Sequence, residues 1–129
     1  MNFTFGIITS DNQEDRVKVV IDSILSQNIK SPEMVGGKSV YNIDVVKHVD
    51  FDETIKSGWI TKKKNLITEN ATQENIVYLH DYVKLNSDWY SGFLNFGYDW
   101  DVCMTKLLNE DGSRYRDWCA WDDPNLCYL

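Results

Sequence analysis

The chain has 129 residues, a formal net charge of −7 and a sequence pI near 4.7, with 43% hydrophobic residues including five Trp, seven Tyr and five Phe. That length sets one domain, or part of one, and that apolar content argues against disorder. The acidic balance excludes a broad basic surface for nucleic acid, although Lys62-Lys63-Lys64 is a local basic cluster. The three cysteines, Cys103, Cys119 and Cys127, form no Cys-x-x-Cys pair and lie far from His48 and His80. This set fits a reducing compartment rather than a disulfide framework, and it does not suit a structural zinc site. The opening residues lack the basic start of a signal peptide and are too few to span a bilayer, so a cytoplasmic location is expected.

Phe3–Ile8 alternates and then runs apolar, which predicts a first, central strand. It ends in Thr9-Ser10-Asp11-Asn12, hydroxyls and amides able to cap a helix or accept a ligand. Helix 1 is expected over about Gln13–Gln27, with Val17, Val20, Ile21, Ile24 and Leu25 on one face. After Pro32, the run Glu33-Met34-Val35 stops at Gly36-Gly37, as a second strand does when its end closely approaches something, although an ordinary turn would read the same. Residues Asp44–Phe51 have the content of a third strand, with His48 as a strand-face residue. Ser57-Gly58-Trp59 introduces a helix through about Ala71, with Ile60, Ile67 and Ala71 on one face and Lys62 and Asn65 three apart on a neighbouring one. An ammonium and an amide near a helix start favour an anion; the bland reading of three lysines is a solvated face.

Asn75–Leu85 then moves from the β-branched and aromatic run Ile76-Val77-Tyr78-Leu79 to the polar His80-Asp81. In an open α/β sheet, ligands sit at the carboxyl ends of strands, which is where Asp81 falls. Asn86-Ser87-Asp88 predicts a helix cap, and Trp89, Tyr90, Phe93 and Leu94 follow it, closing near Gly97. Two strand-like segments, Asp101–Leu108 and Arg114–Trp121, flank an Asp111-Gly112 turn, a hairpin signal. The element order gives an α/β domain with a largely parallel sheet. No Gly-x-x-x-x-Gly-Lys loop, no Gly-x-Gly-x-x-Gly fingerprint and no Gly-x-Ser-x-Gly elbow occurs. Nucleotide hydrolases, dehydrogenases and serine hydrolases of the usual kinds are thereby excluded.

Three segments, in order, resemble GT-A-fold nucleotide-sugar glycosyltransferases of the family-2-like kind. Phe3–Thr9 is similar to their first strand, Lys62–Ile67 with Ala71 to their Lys/Arg-Asn-x-Gly helix, and Asn75–Asp81 to the strand ending in their Asp-x-Asp motif. The resemblance covers about residues 3–95. It implies a Rossmann-like fold of GT-A type, with a donor-binding part over 1–97 and a hairpin and tail over 98–129. It also implies that Thr9 and Ser10, with Asp11, meet the nucleoside, that Gly36 and Gly37 form the second-strand loop, and that Lys62, Lys63 and Asn65 lie near the phosphates. His80 and Asp81 would complete the donor site, with Asp81 holding Mg²⁺ or Mn²⁺ against the diphosphate. The sequence departs from the motif in having one carboxylate, His80-Asp81-Tyr82. Asp117, Asp122 and Asp123 are the carboxylates near where a base would sit, and nothing in their spacing selects one.

The expected function is transfer of a sugar from a nucleoside diphosphate sugar to a glycan, lipid or protein acceptor. The alternatives are a nucleotide-sugar-binding module without turnover, a truncated transferase, and a flavodoxin-like signalling or scaffold domain.

Overall fold

A computed structural model describes residues 1–37, 39, 46–49 and 51–115. Its elements are β1 (Phe3–Ile8), α1 (Glu14–Leu25), β2 (Glu33–Gly36), β3 (Lys47–His48), α2 (Ile60–Asn70), β4 (Asn75–His80) and α3 (Trp89–Phe96). The four strands make one sheet in the order β3-β2-β1-β4, parallel at every pairing, and three helices flank it. The α/β class and the parallel sheet expected from the sequence are therefore present. The described residues fall into two units, the first Met1–Phe96 and the second beginning at Gly97.

β1 is the centre. All six of its residues are buried, because it has a strand on each side and helices on both faces. Phe3 and Phe5 stack against α3, with Phe3 meeting Trp89 and Phe93 edge-on at 5.6 and 5.4 Å between ring centroids. Each such side chain removed from water contributes about 2 kcal/mol. On the opposite face of β1, a Cβ on Gly6 would stand 2.4 Å from Cγ2 of Ile67, so α2 backs directly onto the strand at that glycine. Ile8, Val35, Val49 and Ile67 form the core on this side.

The chain leaves β1 through α1 to reach β2 on one side, and returns through α2 to reach β4 on the other. Crossovers of one hand running in opposite directions put their helices on opposite faces. α1 is accordingly tied to the α3 side: the Gln27 amide donates to the Asn86 carbonyl at 2.8 Å and accepts from the Tyr90 N–H at 3.0 Å. The two directions part between β1 and β4, which is the switch point where open α/β sheets bind ligands.

Several sequence expectations shift in detail. β4, despite its β-branched and aromatic run, is an edge strand of the described sheet, with Tyr78 39% exposed. The third strand is two residues long among the described residues, paired as Val35↔Lys47 and Gly36↔His48. In the second unit, the turn at Asp111-Gly112 forms as expected, with Asn109 N–H on the Ser113 carbonyl at 2.8 Å and Gly112 at φ +81. Among the described residues, however, its arms meet in one antiparallel bridge, Leu108↔Arg114, and 101–107 is not a strand. The expected segment beyond Tyr115, with Asp117, Trp118, Trp121, Asp122 and Asp123, lies outside the described residues.

Candidate functional site

The site grows out of the β1–β4 ladder. Register runs from Phe3↔Asn75 to Ile8↔His80, and the next step persists as a hydrogen bond from the Asp81 N–H to the Ile8 carbonyl at 3.2 Å. Thr9 and Asp81 therefore emerge side by side at the carboxyl edge. The Thr9 hydroxyl has Asp81 Oδ2 as acceptor at 3.0 Å, with the Ser10 carbonyl also in reach at 3.1 Å. Asp81 Oδ1 has no hydrogen-bond partner among the described residues. Thr9 is buried, Asp81 half-buried and Ser10 exposed.

Lys63 supplies the positive charge. Ile67 anchors α2 against β1, and the residue one turn earlier on the same face is Lys63, so its stem is carried inward. Only 7% of it is exposed. Its ammonium donates to the Thr9 carbonyl at 2.8 Å and to the Ser10 hydroxyl at 3.4 Å, forms an ion pair with Glu53, and lies 5.1 Å from the centre of the Phe51 ring. A small cavity beside it is lined by Thr9, Asp11, Gly37, Phe51 and Leu66 among others.

Of the residues expected at the site, Thr9, Ser10, Lys63 and Asp81 are brought into one bonded group, and Asp11 and Gly37 line the same cavity. Gly36 ends β2 beside His48. Lys62 and Asn65 do not line the cavity; Asn65 is exposed, on the flank of α2 away from the Lys63–Ile67 stripe. His80 turns to stack on Tyr82, centroids 5.1 Å apart. Burial and the nearby ammonium of Lys64 push its pKa down, against the opposing charge of Asp81, which favours a neutral imidazole. Gly37 does not mark a tight approach, since an added Cβ would meet Thr9 at 3.8 Å, an ordinary contact.

Two residues that sequence reasoning passed over complete the group. Ser39 donates to the Ser10 carbonyl at 2.6 Å and accepts the Gln13 N–H at 3.0 Å, so the start of α1 is held by Ser39 and not by a cap from Thr9–Asn12. Glu53 was visible only as one member of the acidic run 50–53. Its ion pair with Lys63 depends on how the β3–α2 connection folds back, which no local pattern encodes.

No known family profile matches the chain, and no curated protein matches it. No group of three or more His, Cys, Asp or Glu able to hold a metal occurs among the described residues, and no described helix is long and apolar enough to cross a membrane.

Proposed function

We propose that this chain is a nucleotide-sugar-binding domain of GT-A type that serves sugar transfer from a nucleoside diphosphate sugar to an acceptor. The observation that carries the reading is the Thr9–Asp81 hydrogen bond at the β1–β4 switch point, with the buried Lys63 ammonium on the same β1 terminus. A hydroxyl pair at Thr9 and Ser10, a cation and a carboxylate are the groups a nucleoside diphosphate with a metal would need. Asp81 is the residue that would hold Mg²⁺ or Mn²⁺. A single carboxylate with one oxygen unbonded fits a hard cation whose other positions are filled by phosphate and water. Bound there, the cation neutralises charge on the departing diphosphate.

Calorimetric titration with UDP and GDP, each with and without Mn²⁺, tests the reading. Saturable binding strengthened by Mn²⁺ is expected, with a loss of about tenfold or more in Asp81→Asn at unchanged circular dichroism. Failure of the folded protein to bind either nucleotide overturns it. Release or transfer of sugar from a bound donor separates a transferase from a binding module.

A further inference from the structure

We infer that Lys63 is the anion-binding centre of the carboxyl edge and that Glu53 is its built-in occupant, displaced when a phosphate group binds. The inference deepens the nucleotide reading and rests on it for the nature of the ligand. An ammonium has three N–H donors. Those of Lys63 are taken by the Thr9 carbonyl at 2.8 Å, the Ser10 hydroxyl at 3.4 Å and the Glu53 carboxylate. The first two belong to the end of β1 and fix the lysine to the sheet. Glu53 is the one anion of the three, and it comes from the connection between β3 and α2.

The Lys63 side chain is buried and that of Glu53 half-buried, 9% and 15% exposed. A desolvated ammonium needs a counter-anion throughout. Exchanging a carboxylate for a phosphate oxygen at the same place keeps it compensated, whereas a phosphate arriving beside Glu53 would meet a like charge and find no Lys63 donor free. Entry of the ligand therefore requires Glu53 to leave.

Glu53 is also tied to the entrance of α2, so its departure from Lys63 breaks that tie as well. Its other carboxylate oxygen accepts the Gly58 N–H at 2.9 Å, and Asp52 Oδ1 accepts both the Thr54 N–H at 2.9 Å and the Thr54 hydroxyl at 2.6 Å. Gly58, at φ +65, stands in the left-handed region just before α2, and nothing lies within 4 Å of where its Cβ would be. Phe51, at the other end, covers the ammonium and lines the cavity together with Glu53. Withdrawal of this strap would widen the cavity on the side where Lys63 stands.

The test uses inorganic pyrophosphate, UDP and GDP, each with Mn²⁺, on the wild-type chain and on Glu53→Gln. Two results are expected: Glu53→Gln binds pyrophosphate about tenfold more tightly than wild type, and saturating pyrophosphate speeds hydrogen exchange at the Gly58 amide of the wild-type chain, whose acceptor has been drawn away. Ordinary stabilisation by a ligand would slow that amide. Slower or unchanged exchange at Gly58, equal or weaker binding by folded Glu53→Gln, or no binding of pyrophosphate to the folded wild-type chain overturns the inference. The wild-type exchange measurement decides the matter even if Glu53→Gln does not fold. Pyrophosphate binding with the Gly58 response, but UDP and GDP binding no better than pyrophosphate, would remove the nucleotide reading and leave the anion centre standing.

Discussion

At the amino edge of the sheet the Thr4 hydroxyl bonds Glu33; at the carboxyl edge the Thr9 hydroxyl bonds Asp81. Both threonines lie on or next to β1, and both carboxylates come from neighbouring strands, yet the two clusters are finished differently. Glu33 is closed by the chain itself: the Thr72 N–H donates to it at 2.8 Å and the Thr72 hydroxyl at 3.0 Å, while Thr4 accepts the Gln73 N–H at 3.3 Å. That knot fastens the α2–β4 turn to the sheet. At the carboxyl edge, Asp81 keeps one oxygen unbonded among the described residues, and the cation beside it is held by an exchangeable carboxylate. A backbone amide cannot be displaced without unfolding its turn, but a side-chain carboxylate can. The first edge is built for stability, the second for exchange.

The sharpest way to break this comparison is Lys63→Met. It keeps the buried stem but removes the ammonium that joins Glu53 to the Thr9 carbonyl and the Ser10 hydroxyl, so a loss of about 3 kcal/mol in urea unfolding is expected. A loss below about 1 kcal/mol would mean that the pair is effectively solvated. Thr4→Val is next. It removes a buried donor to Glu33 and the acceptor for Gln73, for about 1–2 kcal/mol, and it should leave nucleotide binding untouched because the change is at the other edge.

Glu33 also sets a pH signature. Burial raises its pKa, but the hydrogen bonds from Thr4 and Thr72 and the charge of Lys47 outweigh that and hold it below the ordinary glutamate value. A carboxyl with a depressed folded pKa contributes stability above its unfolded pKa and loses it as pH falls through the folded one. Glu33→Gln should therefore flatten the acid limb of the stability curve below the ordinary glutamate value, with little change in its slope near neutrality. An unchanged acid limb would show that the knot does not depend on the charge. Smallest is Gly37→Ala, where the added methyl meets Thr9 at van der Waals distance. A change within about 0.5 kcal/mol is expected, and a larger one would mean that the loop is tighter than it stands here.

Much of the frame was legible in the residues. The alternation of Phe3–Ile8, the spacing Val17–Val20–Ile21–Ile24 and the apolar run before His80-Asp81 each matched an element within a few residues. The turn residues Asp111-Gly112 announced their own conformation, because a left-handed backbone angle is local chemistry. The site was half legible. Residues at strand ends, Thr9 and Asp81, could be placed because strand ends are set by the same periodicity. The choice among Lys62, Lys63 and Lys64 could not be made from charge alone, although the position of Ile67 on the buried stripe points to Lys63, four residues earlier.

Within Met1–Phe96 the sequence by itself determined which segments are helix and strand and that polar residues gather at the carboxyl ends of β1 and β4, since both follow from periodicity and turn chemistry within a few residues. Only the tertiary structure decided that β4 lies at the sheet edge, that Gly6 makes room for Ile67, that Ser39 rather than Thr9–Asn12 holds the start of α1, and that Glu53 reaches Lys63. Each of these joins residues ten to seventy-two positions apart. Such contacts are selected by how helices and connections pack on the sheet, and no local pattern carries that information.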